Sequence, residues 1–299
     1  MKMIEQVCAI CHKNDFDILY GANFDDSDIN NSVFSARRLP DRIHYRIVKC
    51  RICQLTYSNP ILDIKTLEKL YKRSDVTYDT HTVNLKRTYG YYLKLLEKYG
   101  VKKGNLLEIG CGNGFFLEEA LSQGYKNVYG VEPGTASVKK ARSDVRSNIK
   151  VDLFRPKLYP ADFFDVCCCF QTLDHVTNPN ELISECFRIL KKKGLVLFYN
   201  HDVGFWLNRI LGERSPIIDI EHTYLYDKKT FKTIFTRHAF EVKAVGHAFN
   251  YHNLNHWLKM TPLPTSMKKM LSLLLERFRF GRITIKLSAG NQYLIAQKK

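Results

Sequence analysis

Between Asn105 and Glu132 the chain runs from a short apolar stretch into three closely spaced glycines, then a helical pattern, then a second apolar stretch ending on an acid. That order, N-L-L-E-I-G-C-G-N-G-F-F-L-E-E-A and later N-V-Y-G-V-E-P, commits the segment to strand, tight loop, helix and strand. Gly110, Gly112 and Gly114 let backbone approach a ligand where a side chain would intrude. The helix, with Phe116, Leu117, Ala120 and Leu121 on its inner side, points its N-terminal amides at whatever lies in the loop. Glu132, eighteen residues after Gly114, suits a ribose diol, because a carboxylate can accept from both hydroxyls.

Dinucleotides and S-adenosylmethionine (SAM) both use such a unit. The dinucleotide fingerprint G-x-G-x-x-G needs its third glycine at position 115, which is Phe115. Glu108, two residues before the first glycine, would repel a pyrophosphate and attract a cation. SAM carries an ammonium and a sulfonium, so the pattern favours SAM.

With these motifs in place, residues 101 to 200 resemble the core of class I SAM-dependent methyltransferases. Beyond the glycine loop, F-F-D-V-C-C-C-F from Phe163 to Phe170 matches the family's fourth strand, and Q-T-L-D-H-V-T-N-P matches the segment after it. A helix over Glu181 to Leu190 and a strand over Leu195 to Tyr199, joined by K-K-K-G, complete the match. The resemblance implies an α/β, Rossmann-like fold with a mostly parallel seven-stranded sheet. It also implies that Glu108, Gly110, Cys111, Gly112 and Gly114 hold the methionine end of SAM and that Glu132, with Pro133 beside it, takes the ribose. Asp152 and Leu153 carry over to the adenine, Gln171 to a further cofactor contact, and Tyr78 to a side chain closing over SAM. Cys167, Cys168 and Cys169 alternate faces along a strand, so they cannot meet one metal and belong to the core.

The N-terminal segment carries a different signal. Cys8 and Cys11 form one C-x-x-C pair, Cys50 and Cys53 a second, with 38 residues between. Each such turn aims two thiolates at one point, and two turns complete the tetrahedral shell of structural zinc. The start M-K-M-I-E-Q-V-C has no signal-peptide core, which makes a reducing cytoplasmic setting the default and turns cysteine spacing into a metal question. The reading is a zinc-ribbon-like module over 1–60, a helical linker and SAM-site lid over 61–100, and a methyltransferase domain over 101–299. In the last, strands are expected at Phe240 to Gly246 and Gln292 to Ala296, with a helical insert near 248–290 before the final strand as an acceptor cap. There Met267, Met270, Leu271, Leu274, Leu275 and Phe278 recur at helical spacing.

The charge of +16 favours acidic neighbours, and from Lys259 onward nine Lys and Arg face one acid, Glu276. This basic C-terminal region is a candidate contact with an acidic or membrane surface. Methyl transfer is an in-line displacement, so positioning dominates and a base helps only where the acceptor must lose a proton. Histidines after strand ends are the candidates: His175, then His201, then His222 with Tyr224 beyond. His222 ranks first because E-H-T-Y-L-Y resembles the family's histidine before the acceptor-side helix.

The zinc pairs with a SAM core resemble bacterial methyltransferases of surface-polysaccharide and deoxysugar pathways. The expected function is methylation of a sugar, glycan precursor or related small molecule at O or C. RNA methylation is the alternative, raised by the net charge and by Arg277, Phe278, Arg279 and Phe280, although no N-P-P-F-type tetrapeptide follows the fourth strand. A SAM-binding module without catalytic activity is the third reading.

Overall fold

A computed structural model describes residues 2–25, 28, 29, 33, 42–72, 82–261 and 263–299. In chain order its elements are β1 (Met3–Ile4), β2 (Phe16–Tyr20), β3 (Ile47–Cys50), β4 (Thr56–Ser58), β5 (Ile61–Leu62), α1 (Ile64–Lys72) and α2 (Thr82–Leu95). The glycine-loop region gives β6 (Asn105–Ile109), α3 (Phe115–Ser122), β7 (Asn127–Val131), α4 (Thr135–Lys139), α5 (Ser143–Arg146) and β8 (Ile149–Lys150). There follow β9 (Phe164–Phe170), α6 (Pro179–Ile189), β10 (Leu190–His201), α7 (Trp206–Leu211), β11 (Tyr224–Leu225) and α8 (Lys228–Arg237). The chain closes with β12 (Phe240–Asn253), α9 (Leu254–Met260), α10 (Thr265–Arg277) and β13 (Thr284–Lys298).

Seven strands form one sheet in the order β12-β13-β10-β9-β6-β7-β8. From β10 to β8 every neighbouring pair is parallel, and β13 runs antiparallel to both β10 and β12. This is the Rossmann-like methyltransferase fold. Strand β9 is apolar apart from Asp165 and buried at all seven positions, as a central strand covered on both faces must be. Its cysteines alternate: Cys167 and Cys169 pack with Leu182 and Ile183 of α6 and Phe231 of α8, while Cys168 packs with Tyr89 of α2 and Phe116 of α3. They are core residues.

The strand order reverses between β6 and β9. Chain leaves their C-terminal ends in opposite directions, which opens a crevice where open α/β sheets bind ligands. Gly110 follows β6 and Gln171 follows β9, so the glycine loop lies on one lip and the Q-T-L-D-H segment on the other.

Several elements differ in extent from the sequence reading. The K-K-K-G stretch is part of β10, with a register shift between Leu190 and Leu195 rather than a separate turn. Strands β12 and β13 stay paired out to Asn253 and Thr284, because the alternation continues as a two-stranded ribbon beyond the covered core. Helices α9 and α10 therefore occupy only the tip of the insert. No described helix is long and apolar enough to cross a membrane.

The N-terminal segment builds its own four-stranded antiparallel sheet, β11-β4-β3-β2. Its outer strand β11 comes from far down the chain, pairing Tyr224 with Tyr57 and Leu225 with Thr56. The two C-x-x-C turns are built alike. In one, His12 N donates to Cys8 O at 2.9 Å, and in the other Gln54 N donates to Cys50 O at 3.0 Å. His12 and Gln54 both take positive φ, 59° and 67°.

Candidate functional site

The glycine loop takes its shape from backbone that other residues rarely adopt. Gly110, Gly112 and Gly114 have φ of 74°, 54° and 73°. At Gly110 a Cβ would also lie 2.4 Å from Thr172 Oγ1, so the loop and the segment after β9 touch only because position 110 has no side chain. Gly110 N donates to Val131 O at 2.9 Å, tying the loop to the end of β7. Glu132 comes next and braces the loop: its carboxylate accepts from Gly112 N at 2.9 Å and from Gly134 N at 2.8 Å. Charge-assisted bonds of this kind fix a carboxylate in place.

This loop forms one end of a cavity of about 940 Å³, which Gly110, Glu132, Pro133, Leu153, Phe154 and Gln171 line. That volume lies at the upper end for small-molecule sites, enough for a cofactor and a small acceptor together. The Glu132 carboxylate, glycine backbone and the apolar Leu153 and Phe154 side chains thus share one end of the cavity. Not every residue expected to touch SAM faces this space. Glu108 is 2% exposed at the end of β6. Cys111 turns its sulfur into the core against Gly130, leaving only its backbone in the loop. Asp152 accepts from Leu153 N and from the Arg155 guanidinium and is absent from the cavity wall, which Leu153 and Phe154 line. Tyr78 lies outside the described residues.

The other end of the cavity is polar. His175, His201, His222, Asp219, Glu221, Asn250, His252 and His256 line it, with Leu207, Leu211, Ile217, Trp257 and Met260 as apolar wall. Behind it sits Asp174, 1% exposed, in the short helical turn after β9. Its Oδ2 accepts from His201 Nδ1 at 2.7 Å, and its Oδ1 lies 3.7 Å from His175 Nε2. The His222 ring stands 4.8 Å from both the His175 and the His201 rings. Asp174, His175 and His222 each bring one ligand-capable atom within 4.8 Å of the others.

Electrostatics gives these groups distinct states. Burial alone would raise the Asp174 carboxyl, but the hydrogen bond to His201 and the nearby His201, His175 and His222 charges outweigh it and hold Asp174 well below its usual range. For His222 burial comes first and lowers its pKa, with the Asp174 charge only partly opposing it. The His222 ring is therefore neutral at pH 7. With Nδ1 placed 2.8 Å from Ile217 O, the proton belongs there and Nε2 carries the lone pair. Tyr224 has no such position. It stacks on Tyr57 at 6.0 Å, and its hydroxyl donates to Val7 O at 3.3 Å, inside the N-terminal sheet and away from the cavity. His222 lies in the loop before β11, whereas Tyr224 opens that strand and is carried with it into the N-terminal sheet. Asp174, Asp219, Glu221 and His252 were not foreseen as site residues. Asp174 adjoins the candidate His175 and Glu221 adjoins His222, whereas Asp219 and His252 have no spacing that marks them.

A family model described as a methyltransferase domain matches residues 84–245, more than half of the 299. The chain belongs to the methyltransferase family. This methyltransferase is 32% identical over 125 residues to a ubiquinone biosynthesis O-methyltransferase of Pseudomonas fluorescens, covering 39% of this chain and 53% of that protein. A protein of the same description from Histophilus somni is 29% identical over 190 residues, covering 56% and 77%. The chain spans about half the length of the first of these relatives. Among solved structures, a SAM-dependent methyltransferase of Thermotoga maritima aligns over 73% of this chain and 91% of its own, with 19% identity and a TM-score of 0.50, a likeness of fold.

The four N-terminal cysteines converge as well. Cys8 Sγ lies 3.2 Å from Cys53 Sγ, and Cys11 Sγ 3.4 Å from Cys50 Sγ, all four within 4.8 Å of one another. These separations are too long for disulfides, whose sulfurs sit about 2.05 Å apart, and near what a tetrahedral tetrathiolate shell with ~2.3 Å metal–sulfur bonds requires.

Proposed function

We propose that this methyltransferase acts on a hydroxyl or an acidic carbon of a sugar, glycan precursor or related small polyhydroxylated acceptor, with His222 as base. The observation that carries this reading is the polar end of the cavity. Histidine, carboxylate and amide groups from four separate chain segments surround the space beyond the SAM end, a density of donors and acceptors that suits a ring bearing several hydroxyls. SAM supplies a methyl group on a positively charged sulfur. Glu132 and the loop backbone orient it, Leu153 and Phe154 cover the adenine, and the histidine wall orients the acceptor. His222 Nε2 then takes the acceptor proton, and the adjacent Asp174 carboxylate stabilises the imidazolium that forms.

The O-methyltransferase relatives support oxygen as the atom methylated. RNA methylation fits less well: Arg155 is the only Lys or Arg on the cavity wall among the described residues, while Glu68, Glu132, Glu181, Asp219 and Glu221 contribute carboxylates that repel phosphates. S-adenosylhomocysteine release, screened against nucleotide sugars, glycans, phenols and RNA, tests the reading. Turnover of a hydroxylated sugar with loss of ~10²-fold or more in kcat for His222→Ala is expected. Turnover confined to RNA would overturn the acceptor class, full activity of His222→Ala would overturn the base, and no release with any acceptor would favour a binding module.

We also infer that Cys8, Cys11, Cys50 and Cys53 hold a structural zinc ion. The set fits on chemistry and on shape, with four sulfurs, two matched turns and no open position for a substrate. Burial raises the Cys8 and Cys53 thiols, whereas at Cys50 the Cys53 and Ile52 amides together with the Cys11 and Cys53 side chains outweigh burial and lower it.

A further inference from the structure

We propose that the α9–α10 cap is a docking face for an anionic phospholipid bilayer. None of the thirteen residues of α10 is buried. Exposed apolar side chains follow one another along it: Met267, Met270, Leu273 and Leu274, then Phe278 and Phe280 just beyond. Positions 267, 270 and 274 share a face at helical spacing. Phe278 and Phe280 stack at 6.2 Å with 59% and 53% of their surface exposed, an aromatic pair held together at the surface. Packing on the core, the ordinary reason for such a stripe, is not what covers these side chains.

Charge identifies the occupant. Lys268, Lys269, Arg277, Arg279 and Arg282 flank the apolar residues, and Glu276 is the only acid from Lys259 to the end of the chain. An apolar strip rimmed by bases matches a bilayer with anionic headgroups: the rings and aliphatic chains enter the acyl boundary while the bases meet phosphates. A protein partner of like composition would gain from the apolar strip but would leave five bases facing one another across the contact. The placement has a functional corollary. His256, Trp257 and Met260 of α9 line the cavity, and α9 packs on α10, so the docked face adjoins the acceptor end of the site.

Sedimentation of the full chain with phosphatidylcholine vesicles containing phosphatidylglycerol, against pure phosphatidylcholine, tests this without any acceptor, so it stands or falls apart from the substrate reading. Partition into the anionic vesicles is expected, falling as salt rises. Leu273→Asp with Phe278→Asp should reduce partition by about tenfold or more, and Lys268→Glu with Lys269→Glu by about fivefold per base removed. Neither change touches a buried side chain, so far-ultraviolet circular dichroism and SAM affinity should be retained. Equal partition into neutral and anionic vesicles, or variants that partition like the parent, would overturn the proposal. So would a dimer in solution that Leu273→Asp dissolves while no vesicle binding is seen.

Discussion

Replacing Asp174 with asparagine separates charge from shape at the centre of the site. Asp174 is buried, its Oδ2 holds His201 at 2.7 Å, and it lies within 4.8 Å of the nearest ligand-capable atom of His222. At that distance, with an effective dielectric of ~20, a carboxylate and an imidazolium attract by about 3.5 kcal/mol. The sign follows from the chemistry: the anion favours protonated His222, so removing it moves His222 further below its usual value. Burial already lowers that value in the parent. Carbon-detected NMR titration of the histidine rings, with His222→Gln to assign the resonance, should place the His222 midpoint below 6.5 in the parent and lower still in Asp174→Asn. Where an acceptor is in hand, the acid limb of kcat should shift the same way, and the plateau should fall because a weaker base removes the proton less readily. Stability carries a second signature. Asp174 is held low in the folded state, so its contribution is present above the ordinary carboxylate pKa and is lost as the pH falls through the folded value. The gap in stability between parent and variant, ~3 kcal/mol near neutrality for a broken buried pair, should therefore shrink only in strong acid. A His222 midpoint that stays put or rises in Asp174→Asn would refute the arrangement.

Three further outcomes follow from the same geometry. Glu132→Gln replaces a charged acceptor of two loop amides, so SAM affinity by calorimetry should weaken by ~10–100-fold at bonds worth ~1.5–3 kcal/mol, and an unchanged Kd would count against Glu132. Tyr224→Phe removes one bond to Val7 O, and urea denaturation should show ~1 kcal/mol lost with kcat intact; a fall in kcat alone would return Tyr224 to the chemistry. Elemental analysis of protein never exposed to chelator should find one zinc per chain, absent in Cys50→Ser, which should also lower Tm; metal-free parent protein would end the zinc assignment.

The parts of this molecule that local chemistry dictates were legible in its sequence. Glycines at 110, 112 and 114, an acid at 132 and an apolar strand at 164–170 each reflect a backbone or burial demand made within a few residues. The acceptor end was not legible in that way. Asp174, His201 and His222 meet because the switch between β6 and β9, the end of β10 and a loop before β11 converge, and no spacing along the chain encodes that convergence. Asp152 failed for a different reason. It stands at the expected place in sequence, but Arg155, three residues on, offers it a nearer partner than the cavity does. Tyr224 shared the six-residue motif of His222, yet the start of a strand between them sent it into another sheet.

That strand ties the N-terminal cysteine module to the histidine end of the cavity. Ser58, at the end of β4, donates from its hydroxyl to His222 O at 2.7 Å, across 164 residues of sequence, and its amide donates to Thr223 O at 2.9 Å. Thr223 N in turn donates to Asp174 O at 2.7 Å. The backbone of the candidate base is thus clamped between the N-terminal sheet on one side and the carrier of its carboxylate on the other. Strand β3, which ends in Cys50, pairs directly with β4, so the cysteine cluster and the histidine wall are two ends of one hydrogen-bonded ladder. A two-residue strand such as β11 has few bonds of its own with which to fix the loop that carries His222 just before it. Joining it to the N-terminal sheet, whose β3 ends in Cys50, adds the Ser58 bonds that hold the His222–Thr223 backbone in place.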